Sequence, residues 1–146
     1  AALFRQLLAA LEAGGRDATD SAFELGAVPL VLSRLGAVSP GEAALGAEVL
    51  WWLTDDYDAC RTMIDGGGNE QVLALVHQHA PASGAAALGL LRLLAQSLYC
   101  EGRRAPVWAT DQLAFVGPAL RWVLSAELPP ETEGAIMGFV CDVAAL

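Results

Sequence analysis

Apolar positions recur along this chain at helical spacing. Over residues 3–13, Phe4, Leu7, Leu8 and Leu11 fall on one stripe, and Gly14-Gly15 closes the segment. Residues 18–25 predict a short helix opening near Asp17 or Thr19. Gly26-Ala27-Val28-Pro29 breaks the chain, and a helix follows over 30–35 up to Gly36. Pro29 suits a first helical position, where its missing N–H costs nothing. Ser39-Pro40-Gly41-Glu42 has the form of a capping box and opens a longer helix over 42–54. Asp55-Asp56-Tyr57-Asp58 marks a break, followed by a short helix to Asp65 and a Gly66-Gly67-Gly68 loop. Residues 69–79 predict a helix with Val72, Leu73 and Val76 inward. After Pro81-Ala82-Ser83-Gly84, another runs over 85–98. The rhythm loosens over 99–108. A helix then opens at Thr110 or Asp111, meets Gly117-Pro118 and runs to Ser125, and the last spans 131–146. Ala and Leu dominate, and no stretch alternates apolar and polar for long, so strands are not expected.

The pattern repeats. Shifted by 41 residues, Gly26 falls on Gly67, Val31 on Val72, Leu32 on Leu73 and Leu35 on Val76. Ala44 falls on Ala85, Val49 on Leu90, Leu50 on Leu91 and Leu53 on Leu94. Each unit reads as a short, a medium and a long helix separated by breaks. In a third copy, Phe139, Val140 and Val143 take the places of Val49, Leu50 and Leu53. One such unit cannot bury its apolar face alone, whereas stacked units bury a continuous core.

A three-helix period of this length is that of armadillo and HEAT arrays. Trp51-Trp52-Leu53-Thr54-Asp55, Met63-Ile64-Asp65-Gly66-Gly67-Gly68 and Gly26-Ala27-Val28-Pro29-Leu30-Val31 resemble armadillo repeats, specifically those of the importin-α type. The resemblance implies an all-α, right-handed α-solenoid of armadillo-type three-helix repeats, about three plus a partial N-terminal one. A partial repeat would cover 1–15. Repeats would cover 16–55 and 56–98, with an insertion over 99–105 and a last repeat over 106–146. The single domain 1–146 is expected to be a segment of a longer solenoid.

In importin-α-like repeats, a Trp and an Asn one turn later on the third helix hold an extended peptide. The Trp face packs on Lys or Arg, and the Asn amide pins the peptide backbone. Carried over at the 41-residue shift, the partner-binding positions become Glu48, Trp51 and Asp55, then Gly89, Arg92 and Gln96, then Gly138, Cys141 and Ala145. Of these, Glu48, Trp51, Asp55, Arg92 and Gln96 carry side chains suited to a partner. Asp55 stands where Asn is expected and can accept a hydrogen bond but not donate one. Trp52 lies on the Leu45–Val49–Trp52 stripe and is expected in the core.

Composition narrows the function. The chain is 55% hydrophobic and 17% charged, with a net charge of −9 and a mean hydropathy of +0.44. Disorder needs low hydrophobicity, and nucleic-acid binders are basic, so both classes fall away. The acidic balance favours a basic protein or peptide partner. The apolar window 82–99 has Arg92 at its middle, which is costly in lipid, so a buried helix is expected there and no membrane partner. Three cysteines, Cys60, Cys100 and Cys141, make neither a disulfide framework nor a CxxC zinc pair, and they suit a reducing compartment.

His77 and His79, two apart, point to opposite sides of a helix and do not make a metal pair. Asp55-Asp56-x-Asp58 lacks the spacing of a calcium loop, and capping explains it better. Gly66-Gly67-Gly68 lacks the Lys-Ser/Thr of a phosphate loop. No catalytic, metal or cofactor constellation emerges, so no cofactor and no enzymatic activity are expected. The expectation is an intracellular, cytoplasmic or nuclear interaction scaffold, most sharply an importin-α-like cargo adaptor of nuclear transport. The alternative is a structural or regulatory armadillo domain appended to an enzyme or ubiquitin ligase, with nothing bound in its groove.

Overall fold

A computed structural model describes residues 2–36, 38–102 and 128–144, and among them every regular element is an α-helix. The helices are α1 (Ala2–Glu24), α2 (Ala27–Leu35), α3 (Pro40–Leu53), α4 (Tyr57–Asp65), α5 (Gly68–His79), α6 (Gly84–Gly102) and α7 (Pro130–Ala144). The helix expected over 110–125 lies outside the described residues, as do 103–105 of the insertion expected over 99–105, whereas 99–102 continue α6. Among the described residues no helix is long and apolar enough to cross a membrane.

The helix starts follow from local chemistry. The Ser39 hydroxyl accepts from the Glu42 N–H at 3.3 Å, with Pro40 opening α3. The Asp56 carboxylate accepts from the Ala59 N–H at 3.1 Å, and Ser83 Oγ from the Ala86 N–H at 3.2 Å. Each satisfies one of the donors that a helix start leaves open. The expected break falls at Gly15, whose φ of 59° and ψ of −142° are not helical: two helical segments meet there in a kink, so α1 is bent, and the second runs on through Glu24.

α1, α3, α6 and α7 pack in a row, each against the next in chain order. α2 leans on α3 and α4, and α5 on α6 and α4. α3 sits between α1, α2 and α6, and its Ala43, Ala47, Val49, Leu50 and Leu53 are fully buried. Gly46 lets the neighbours close in, because a Cβ there would strike the Leu35 and Phe4 side chains.

The repeat is written into the backbone. Gly26 and Gly67 both adopt the left-handed conformation, φ 83° and 76°. Gly26 N donates to Phe23 O at 3.0 Å, and Gly67 N to Ile64 O at 3.1 Å. Leu25 N donates to Ser21 O and Gly66 N to Thr62 O, both at 3.1 Å. Leu30 N donates to Gly26 O at 3.3 Å, and Gln71 N to Gly67 O at 3.2 Å. Each pair is offset by the 41 residues of the sequence repeat.

That register does not persist. α2 has nine residues and α5 has twelve. The cap Ser39 therefore corresponds to Ser83, and the third helices align at a shift of 44. Buried Ala43, Gly46, Ala47, Val49, Leu50 and Leu53 then match buried Ala87, Leu90, Leu91, Leu93, Leu94 and Ser97. At 41, buried Ala47 would fall on Leu88, which is 48% exposed. The pairings of Val49 with Leu90 and Leu50 with Leu91 are thus corrected to Val49 with Leu93 and Leu50 with Leu94.

Hydrogen bonds from side chains tie the units together at helix ends. Gln71 Nε2 donates to Leu32 O at 2.6 Å, and Thr132 Oγ1 donates to Ala80 O at 2.9 Å. Within the 56–98 unit, Ser97 Oγ donates to Asn69 Oδ1 at 2.6 Å in a buried bond between α5 and α6.

Because no neighbour crowds a Cβ at Gly26 or Gly67, substituting Ala costs backbone strain alone. Gly26→Ala and Gly67→Ala should each lower unfolding free energy by about 1–2 kcal/mol. Gly41→Ala, on an open helical position, should raise it by up to about 1 kcal/mol. Urea melts followed by circular dichroism check both signs.

Candidate functional site

The expected partner-binding residues gather at the seam between α3 and α6 and at the C-terminal end of α3. Glu48 is exposed on α3. Trp51, one turn on, is half-buried and packs against the core, with the Trp52 ring edge-on at 5.8 Å between centroids and 88° between planes. The two rings hold each other in a preferred aromatic geometry. Trp52 is also half-buried and packs against the core, so the expectation of a core residue is met in part.

Arg92 lies across the seam on α6. Its guanidinium carbon stands 5.0 Å from the centroid of the Trp51 ring, within cation–π range. Gln96, one turn further, spends both amide hydrogens inside the fold. Nε2 donates to Trp51 O at 2.7 Å and to Thr54 Oγ1 at 2.8 Å. Thr54 Oγ1 in turn donates to Leu50 O at 2.6 Å. The amide thus closes the C-terminal end of α3, where carbonyls lack helical partners. Thr54 is a member of this network that sequence reasoning missed. Its residue type carries no sign that a neighbouring repeat will use its hydroxyl.

The 44-residue register changes the equivalences. Arg92 stands level with Glu48, and Ala95, not Arg92, follows Trp51 along the row. On α7, Gly138 and Cys141 are exposed, while Ala145 lies outside the described residues.

Asp55 lies just past α3 and is exposed. It lines a cleft of about 390 Å³ between the α1 kink and the α3–α4 junction, with Arg16, Asp20, Trp52, Asp56 and Tyr57. Three carboxylates and one guanidinium give this cleft a negative balance. Arg16 and Asp20 line it from the segment of α1 just past the kink at Gly15, a feature the glycine pair signals only as a break, and Trp52 lines it from α3. Asp56 is already engaged as the α4 cap.

His79 is buried and His77 exposed on α5, on opposite sides as their spacing implies. Partial desolvation lowers the His77 pKa from the ordinary imidazole value. Among the described residues, no three His, Cys, Asp or Glu side chains are grouped to hold a metal. Cys60 is buried in α4, and Cys141 is exposed on α7.

Comparison with family models, curated proteins and solved structures finds no match for this chain.

If Gln96 acts as a helix-end cap, its removal registers in stability. Gln96→Ala should lower unfolding free energy by about 1–3 kcal/mol, because Trp51 O loses its donor in a part-buried setting. Chemical denaturation measures this without any ligand.

Proposed function

We propose that this chain forms an armadillo-type, right-handed α-solenoid that serves as a non-catalytic interaction scaffold. In this reading it holds a basic peptide or partner segment along the exposed face of the α1–α3–α6–α7 row. The observation that carries it is the acid–aromatic strip on α3. Exposed Glu48, half-buried Trp51 and exposed Asp55 lie in sequence and run into the cleft that holds Asp20 and Asp56. Carboxylates attract a cationic side chain from solution, and an indole face packs against its stem and charge. The duplicated glycine corners support the solenoid, since the same joint turns the chain the same way twice. The sharper reading, an importin-α-like nuclear-transport adaptor, rests on Trp51 alone, because Ala95 stands at the next position of the row.

One observation favours a second reading. The Trp51 face already carries Arg92, and the Gln96 amide is spent within the fold. A structural or regulatory armadillo domain, with nothing bound along this face, uses its side chains in this way.

A fluorescently labelled Lys/Arg-rich peptide separates the two. The scaffold reading expects binding at low salt that weakens as salt screens the carboxylates. Glu48→Gln and Asp55→Asn should each cost about 0.5 kcal/mol of affinity. Absence of binding at low salt, or unchanged affinity for Trp51→Ala, overturns the scaffold reading in favour of the second.

A further inference from the structure

We infer that Arg92 is a built-in occupant of the cation seat on Trp51, which a basic partner has to displace before it can use that ring. The inference rests on the scaffold reading and deepens it, by naming what regulates the site and which side chain the seat suits.

Two fixed points bracket Arg92 on α6. One turn before it, Gly89 brings α6 against α3, where a Cβ would lie 3.7 Å from Ala44 Cα and 3.8 Å from Ala47 Cβ. One turn after it, Gln96 is bonded to Trp51 O at 2.7 Å. The α6 backbone at Arg92 is therefore held at a set distance from the Trp51 ring. The ring is held as well, by the core and by the edge of Trp52. Only the Arg92 side chain is free to leave, because it is exposed. A fixed seat with an exchangeable occupant is the arrangement of an internal competitor.

The chemistry of the occupant indicates the chemistry of the ligand. A guanidinium is planar, weakly hydrated and always charged, so it stacks on an indole face better than an ammonium does. A partner that replaces it offers another arginine. The threshold is modest. An exposed cation–π contact corresponds to about a two- to fivefold change in an equilibrium constant. Arg92 thus tunes affinity and does not lock the face shut. Glu48, level with Arg92 in the 44-residue register, and Asp55, beyond the end of α3, keep the surroundings acidic once the seat is vacated.

The test is a double-mutant cycle on the chain itself, with an arginine-rich peptide at low salt and helical content checked by circular dichroism. Arg92→Ala should tighten binding about two- to fivefold, with Arg92→Lys intermediate. Removing a positive charge also tightens binding of a cation by long-range electrostatics, so the same comparison is made on Trp51→Leu. There the gain from Arg92→Ala should vanish. If Trp51→Leu loses helical content, Trp51→Phe, which keeps a weaker face, should show a reduced gain. A gain that persists undiminished in the Trp51 variants, or no gain at all where wild type binds, overturns the internal competitor and leaves the scaffold reading standing. Absence of binding by every variant overturns both. In the peptide-free protein, the Arg92 side-chain methylene protons should show an upfield ring-current shift that Trp51→Leu abolishes. Lack of that shift also overturns the proposal.

Discussion

The structure depends on the confinement of α3. It has neighbours in α1, α2 and α6, so almost every side of it faces protein. A helix in that position has to be apolar nearly all round, and its sequence has only Glu42 and Glu48 as charged residues. It also has to be thin, because three neighbours approach it closely. Gly46 admits Leu35 and Phe4, and the Ala44–Ala47 ridge admits Gly89 of α6. Small residues where helices cross let dispersion contacts form without strain. The same closeness carries Arg92 onto the Trp51 ring. The unusual hydropathy of the chain and the geometry of its candidate site share this one cause.

Parts of this were legible in the sequence. Gly26 and Gly67 could be paired because only glycine takes a left-handed corner without penalty, and their 41-residue spacing survives in the backbone. Ser39 and Asp56 announced helix starts by residue type. The lengthening of α5 was not legible. Leu90, Leu91, Leu93 and Leu94 crowd α6, so a shift of 41 or of 44 sets an apolar residue on an apolar residue. The capping by Ser39 and Ser83 and the burial pattern, with Leu88 on the outside and Ser97 on the inside, distinguish the two in the structure. An amide such as Gln96 is equally ambiguous. The same donors serve a bound peptide or a neighbouring carbonyl, and residue type says nothing of which lies within reach.

The polar side chains that join the units obey one rule. Leu32 O and Trp51 O lie in the last turns of α2 and α3, and Ala80 O lies just beyond α5. These are positions where carbonyls have run out of helical partners. Gln71, Gln96 and Thr132, each from a later helix, supply the missing donors. The fold therefore uses for cohesion some of the groups that a peptide-binding ladder would present to a ligand. Among the described residues this leaves the exposed part of α3 with charge and the half-buried Trp51 and Trp52 rings, which in the proposed scaffold reading suits electrostatic capture better than the pinning of a peptide backbone.

These bonds also give the helix packing a direction along the chain. In these three bonds among the described residues, the donor lies later in the chain than the carbonyl it closes, so a later helix finishes the end of an earlier one. Peeling helices away from the C-terminal side strips donors from the ends they leave behind, while peeling from the N-terminal side removes only acceptors. The three joints are thus directional: separating the helices at any of them leaves a bare carbonyl on the earlier helix and a hydrophilic side chain that water can satisfy on the later one.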